Sequence, residues 1–214
     1  MLGSAIYIDG WDEHTHHIVV PDNYLHDVTR GVSIGSEQGG LVDEIDIYNN
    51  IVVRAGNSGI QLTPVSLDGP RERIRIFNNT IVESVNHGGG GIYVHTTNVD
   101  EIIIRNNLVA FGPQWQGMIR ADSPAGITAD HNLIFGESKF PEEELGGSIE
   151  ADPLFVDIAS SEATGFAVQA GSPAIDSGSE DGAPGHDFAG VARPQDGDGN
   201  GSPVVDIGAF ERSE

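Results

Sequence analysis

The sequence predicts an all-β chain wound as a right-handed parallel β-helix of about five coils, and three observations predict it. First, a motif of small residue, apolar, any, apolar returns through the first half of the chain. Second, an apolar strand ending in asparagine, followed by a further apolar run, interleaves with it. Third, 29 glycines and 11 prolines in 214 residues, with no sustained apolar spacing at three and four, exclude a helix bundle.

The first motif begins at Ala5, Gly31, Gly59, Gly91 and, in a degraded copy, Gly117, at intervals of 26, 28, 32 and 26 residues. The second ends at Asn23, Asn50, Asn79, Asn107 and Asn132, at intervals of 27, 29, 28 and 25. Each period holds three short strands, one coil of a solenoid. A coil cannot bury its apolar residues alone, so stacked coils share a continuous interior and pair their backbones. Alternation turns Ile6 and Ile8, Val32 and Ile34, Ile60 and Leu62, and Ile92 and Val94 inward. The asparagines are expected at the sharp bend between strands, in left-handed conformation, with each side-chain amide bonded to the next. Residues 1–137 are assigned to the coils. No apolar segment precedes the strand at Ala5 to cap the first coil, so a missing N-terminal cap is expected, and an uncapped first coil could pair end to end with another copy.

Asn78-Asn79-Thr80-Ile81-Val82 and Asn106-Asn107-Leu108-Val109 resemble the right-handed parallel β-helix proteins of the pectate-lyase-like superfamily. Asp152-Pro-Leu-Phe-Val-Asp157, Gly171-Ser-Pro-Ala-Ile-Asp-Ser-Gly178 and Val205-Asp-Ile-Gly-Ala-Phe-Glu211 resemble the tail of many secreted β-helix proteins. The resemblance implies an extracellular or cell-surface location and a polysaccharide partner. It implies no one reaction, since the group includes lyases, hydrolases, epimerases and proteins without known activity.

Residues 138–214 break the repeat and are expected to wrap over the open end of the coils, with Phe155, Phe166, Ile175 and Phe210 as plugs. Within them, Asp196-Gly-Asp198-Gly-Asn200-Gly-Ser202 places oxygen side chains at every second residue, with glycines that let the chain curl. This suits a structural calcium ion held by Asp196, Asp198, Asn200 and Asp206, although Ile207 stands where an EF-hand has glutamate. A glycine-rich acidic turn that binds nothing is the alternative.

The outer face of the first sheet carries the candidate chemistry. Tyr7, Gln61, Tyr93 and His95 are expected to face outward, and a one-residue shift of the fifth copy turns Arg120 out beside His95, since burying it unpaired is costly. Asp122 follows, and His87 lies on the loop Asn86-His-Gly-Gly-Gly-Gly91. Tyrosine offers a sugar ring an apolar platform, histidine exchanges protons near neutrality, and arginine grips a carboxylate. His95, Arg120 and Tyr93 are therefore the catalytic candidates for β-elimination of a uronic-acid polymer, with Gln61, Asp122, His87 and Tyr7 binding substrate. Paired carboxylates for glycoside hydrolysis carry little weight in so acidic a chain. A decorated solvent face on a non-catalytic carbohydrate-binding module is the competing reading.

His14, His16 and His17 form a second cluster that could take zinc or copper, although on a regular strand His17 points away from the other two. With 33 acidic residues against ten basic ones, a net charge of −23 disfavours nucleic acid and anionic membrane partners. Such acidity, with Lys139 the one lysine, suits solubility in high salt as well as ordinary secretion. There is no cysteine, hence no disulfide and no thiolate metal site.

Overall fold

The computed structural model describes residues 3–64, 66–84, 89–111, 118–136 and 145–214. The boundary at 137 and the polar loop from Lys139 to Glu144 lie outside the described residues. The chain is an all-β parallel solenoid of about four turns, slightly fewer than the five coils expected. Three strands make each turn. The first sheet stacks β1 (Ser4–Asp9), β4 (Arg30–Gly35), β7 (Ser58–Leu62), β10 (Ile92–Val94) and β14 (Ile119–Ala121). The second stacks β2 (Thr15–Pro21), β5 (Val42–Tyr48), β8 (Arg71–Phe77), β12 (Ile102–Arg105) and β15 (Ile127–Asp130), with β11 (Val99–Asp100) beside β8. The third stacks β3 (Tyr24–His26), β6 (Ile51–Val53), β9 (Thr80–Val82), β13 (Leu108–Ala110), β16 (Leu133–Phe135) and β17 (Ile149–Glu150). No helix among the described residues is long and apolar enough to cross a membrane.

Register explains the stack. Ile6 lies against Val32, Val32 against Ile60, Ile60 against Ile92 and Ile92 against Ile119, so like positions form inward columns of β-branched side chains. Their branches pack on a pleated surface and leave the interior dry.

The asparagine ladder forms as expected. Nδ2 of Asn23, Asn50, Asn79 and Asn107 each donates to Oδ1 of the next asparagine, at 2.8, 2.9, 2.9 and 3.0 Å. Its backbone differs from expectation. The left-handed residues are the preceding ones, Asp22, Asn49, Asn78, Asn106 and His131, with φ between 49° and 57°. That sharp bend turns each ladder asparagine inward, where it also satisfies carbonyls; Asn79 Nδ2 donates to Ile47 and Phe77 oxygens at 3.0 and 3.1 Å.

The C-terminal segment corrects a second expectation. Phe155, Phe166, Ile175 and Phe210 do not plug the coil end. They pack with Ile51, Val53, Val82, Leu108, Ala110 and Leu133, which face outward from the third sheet. Residues 152–214 thus flank the solenoid along its length, reaching the first turn where Tyr24 Oη donates to the Ser161 carbonyl at 3.1 Å. The bend asparagines dock it: Asn78 and Asn106 Nδ2 donate to the Asp206 and Ser179 carbonyls at 2.9 and 2.8 Å. A sheet apolar on both faces needs this second cover.

Candidate functional site

On the outer face of the first sheet, register aligns Tyr7, Ser33, Gln61, Tyr93 and Arg120 in one column along the solenoid axis. Arg120 therefore pairs with Tyr93, two residues before His95, beside which it was expected, and its outward direction follows the shift anticipated for the fifth copy. Its Cζ sits 4.3 Å from the Tyr93 ring centroid, a cation–π distance. The next column brings His95 out, because its backbone N–H donates to the Leu62 carbonyl and keeps it in the ladder. Likewise Asp122 N–H donates to the Val94 carbonyl.

Four of the predicted residues converge. Tyr93 Oη donates to Asp122 Oδ1 at 2.8 Å, His95 Nε2 lies 3.6 Å from Asp122 Oδ2, and the His95 ring stacks on Tyr93 at 4.6 Å and 12°. Asp122 is the hinge of the group, with one oxygen toward each partner. Burial, and then the hydrogen bond to Asp122, push the Tyr93 phenol above its ordinary range, with Arg120 pulling the other way. Tyr93 thus stays a neutral donor. It is also 3 % exposed, so it cannot serve as the open sugar platform expected of it. The accessible groups are His95 and Asp122, with side chains 48 % and 35 % exposed.

Gln61 is buried in the floor beside Tyr93. Tyr7 lies two turns further along the sheet, in a cleft of about 320 Å³ that Gln61 also lines, together with Ser4, Arg30, Ser33, Glu37 and Thr63. Its hydroxyl donates to Glu37 Oε1 at 2.8 Å, and its phenol too is raised by burial and by that bond. A side chain at Gly35 would collide with the Tyr7 hydroxyl, so glycine is what lets Tyr7 fold over the sheet. His87 lies outside the described residues.

The acidic loop in the C-terminal segment assembles a different oxygen set from the one expected. Asp196 and Asp198 converge with Asp176, their ligand oxygens all within 4.8 Å of one another. Asp206 does not join them. It is buried, and its two oxygens accept the Asp176 and Arg212 N–H groups at 2.7 Å each. Burial holds its carboxyl up at about 7. Asn200 sits beside the trio, donating to Asp198 Oδ2 at 2.8 Å while its oxygen accepts from the Ser202 N–H. Three carboxylates without nitrogen or sulfur donors fit a hard dication such as calcium.

The sequence reading passed over a further concavity. The outer face of the second sheet holds a groove of about 780 Å³ lined by His17, Val19, Glu44, Asp46, Arg73 and Arg75, and beyond them by Glu101, Ile103 and Thr128. Its cause is a column of left-handed residues, His17, Glu44, Arg73 and Glu101, with φ between 51° and 57°, which bends every strand at the same point. The non-glycine residues at this bend carry no compositional signature.

A scan against models of known protein families matched none, and a search among curated proteins found no match.

Proposed function

We propose that the protein is an extracellular, polysaccharide-active β-helix of the pectate-lyase-like kind that cleaves a uronic-acid polymer on the outer face of its first sheet. The observation that carries this reading is the His95–Asp122–Tyr93–Arg120 cluster on the outer face of the first sheet, with His95 and Asp122 open to solvent. Five strands about 4.8 Å apart give that face roughly 19 Å, long enough for several rings of an extended polymer. His95 is the exposed imidazole of the cluster and takes the proton from the carbon beside the uronate carboxylate. The released electron pair forms a carbon–carbon double bond as the glycosidic C–O bond breaks, and the leaving oxygen takes a proton from the imidazolium or from water. Asp122 stabilises the imidazolium that forms and, through Tyr93, fixes its own rotamer. Arg120, held over the Tyr93 ring, stabilises the charge that develops on the substrate carboxylate. Tyr93 is assigned as a positioning residue, because its hydroxyl is committed to Asp122.

A non-catalytic glycan-binding module is the second reading, favoured by the burial of Tyr93 and the engagement of its hydroxyl. In either case a calcium ion at Asp176, Asp196 and Asp198 would order the C-terminal flank and leave the chemistry to the first sheet.

Ultraviolet absorbance of the unsaturated product, followed over time on alginate, pectate and other polyuronates, tests the reading. A rising signal that His95→Ala and Arg120→Ala each abolish, and that Tyr93→Phe reduces through kcat, supports the lyase. A flat trace on every polymer from folded protein moves the assignment to the binding module.

A further inference from the structure

We propose that His16, His17 and Glu44 bind a divalent ion of the zinc class at one end of the groove on the second sheet. On a regular strand consecutive side chains alternate, so adjacent imidazoles would point apart. His17 instead takes φ 57°, and both rings emerge on the solvent side, in contrast to the divergence expected from the sequence. His14 joins them, its ring 4.4 Å from that of His16, which is 4.6 Å from that of His17. Nδ1 of His16 lies against Nδ1 of His17, and Nε2 of His17 lies 2.5 Å from Glu44 Oε2. Glu44 is placed by the same bend in the neighbouring turn, at φ 51°.

One ligand atom from each of the three residues falls within 4.8 Å of the others. Ligands of a tetrahedral zinc ion, each about 2.0–2.1 Å from the metal, sit roughly 3.3 Å apart. Small rotations of exposed side chains therefore complete the set: His17 gives Nε2 beside Glu44 Oε2, and the His16 ring turns to bring one nitrogen. Two imidazoles with one carboxylate select zinc, copper(II) or nickel(II) over calcium or magnesium, which prefer oxygen alone.

The charges around the cluster favour a cation. Asp43 bonds His14 Nε2 at 2.9 Å and also meets Arg73, and Glu72 bonds the same guanidinium at 3.1 Å. Arg73 Nε is 3.9 Å from Glu44 Oε1, the oxygen turned away from His17. Three carboxylates thus face one guanidinium, and Glu44 keeps Oε2 for the metal. His14, held by Asp43, stacks beside the His16 ring and adds an imidazole next to the site. Since His17 and Glu44 also line the groove, the coordination positions left to water open toward it.

Zinc titration of the untagged chain by calorimetry, in saturating calcium to occupy oxygen-only sites, tests the proposal. One zinc per chain is expected, weakened at least about tenfold in His17→Ala and in Glu44→Ala and unchanged in Asp196→Asn. Because all three ligands are exposed, these variants should keep the parent circular dichroism spectrum. Cobalt(II) should give the visible absorption of a four- or five-coordinate ion in the parent and lose it in the His16→Ala, His17→Ala double variant. Absence of saturable zinc binding, or binding that survives the double variant unchanged, would overturn the proposal.

Discussion

Truncating Asn79 to alanine should destabilise the solenoid more than truncating Asn23, although both occupy the same ladder. Asn79 is fully buried, and its Oδ1 accepts two donors, the backbone N–H and the amide Nδ2 of Asn50, at 3.0 and 2.9 Å. Alanine leaves the Asn50 backbone N–H without its acceptor in a buried layer, while Asn50 Nδ2 keeps the Val20 and Tyr48 carbonyls at 2.7 and 3.0 Å. At about 1–3 kcal/mol per orphaned buried donor, the loss is roughly 1–3 kcal/mol. Asn107 Oδ1 fares better, since the Asn79 backbone N–H still reaches it at 3.1 Å. At the first rung, Asn23 is half-buried and only donates among the described residues, to Asn50 Oδ1 and the Pro21 carbonyl at 2.8 Å each. Asn50 Oδ1 keeps the Asn23 backbone N–H at 3.1 Å, so Asn23→Ala costs about 1 kcal/mol. A domain has only about 5–15 kcal/mol to lose. Equilibrium urea unfolding, with an unchanged slope between variants, gives both numbers. Equal losses, or less than about 1 kcal/mol at Asn79, would refute the ladder as a satisfied network.

Three further outcomes follow from the flanking segment and the charge distribution. Burial raises the Asp206 carboxyl to about 7, so the folded chain holds a proton that the unfolded chain releases near pH 4. Stability of residues 145–214, read by amide hydrogen exchange, should therefore fall as pH rises from about 4 through about 7, and Asp206→Asn should flatten that slope; identical profiles would sink the argument. Calcium at about one hundred times its dissociation constant should stabilise the chain by about 2.7 kcal/mol in thermal unfolding, an effect that Asp176→Asn or Asp196→Asn removes. Turnover of a polyuronate should rise as salt shortens the screening length from about 10 Å at 0.1 M to about 3 Å at 1 M, because a net charge of −23 repels the polymer; a fall with salt would mean a cationic path guides it.

The coil repeat was legible because two spacings had to agree, and each reports a physical necessity: inward β-branched columns and a turn amide that satisfies itself between layers. The course of the C-terminal segment was misread although a signal existed. Ile51-Val52-Val53, Leu108-Val109-Ala110 and Leu133-Ile134-Phe135 are apolar without alternation, which marks strands covered on both faces. The site was half legible. Alternation put Tyr93 and His95 on the outer face and the shifted register did the same for Arg120, but burial of Tyr93 under its neighbours depends on side-chain packing that spacing does not encode. The exchange of Asp206 for Asp176 in the oxygen cluster was not legible, since the two segments lie 20 residues apart, from Asp176 to Asp196, and meet only after docking. The groove of the second sheet rests on left-handed His17, Glu44, Arg73 and Glu101, where tertiary stacking overrides the usual preference for glycine or asparagine.

The distribution of cations bears on which face can handle an anionic polymer. Arg54 pairs with Asp27, Arg71 with Asp68, Arg73 with Asp43, Arg75 with Asp46, Arg105 with Asp130 and Asp181, and Arg193 with Glu211. Arg54, Arg73, Arg75 and Arg105 hold neighbouring turns together, Arg71 pairs within its own turn and Arg193 within the flank, and their charge is largely neutralised where it sits. Arg120 lies over the Tyr93 ring, in the column that also presents Gln61 and adjoins His95. The third sheet is covered by residues 152–214, and the second sheet's groove is lined by arginines already engaged with acids. The first sheet is thus the face where a uronate carboxylate would meet a guanidinium and an exposed imidazole together, and this is why the lyase reading is placed there.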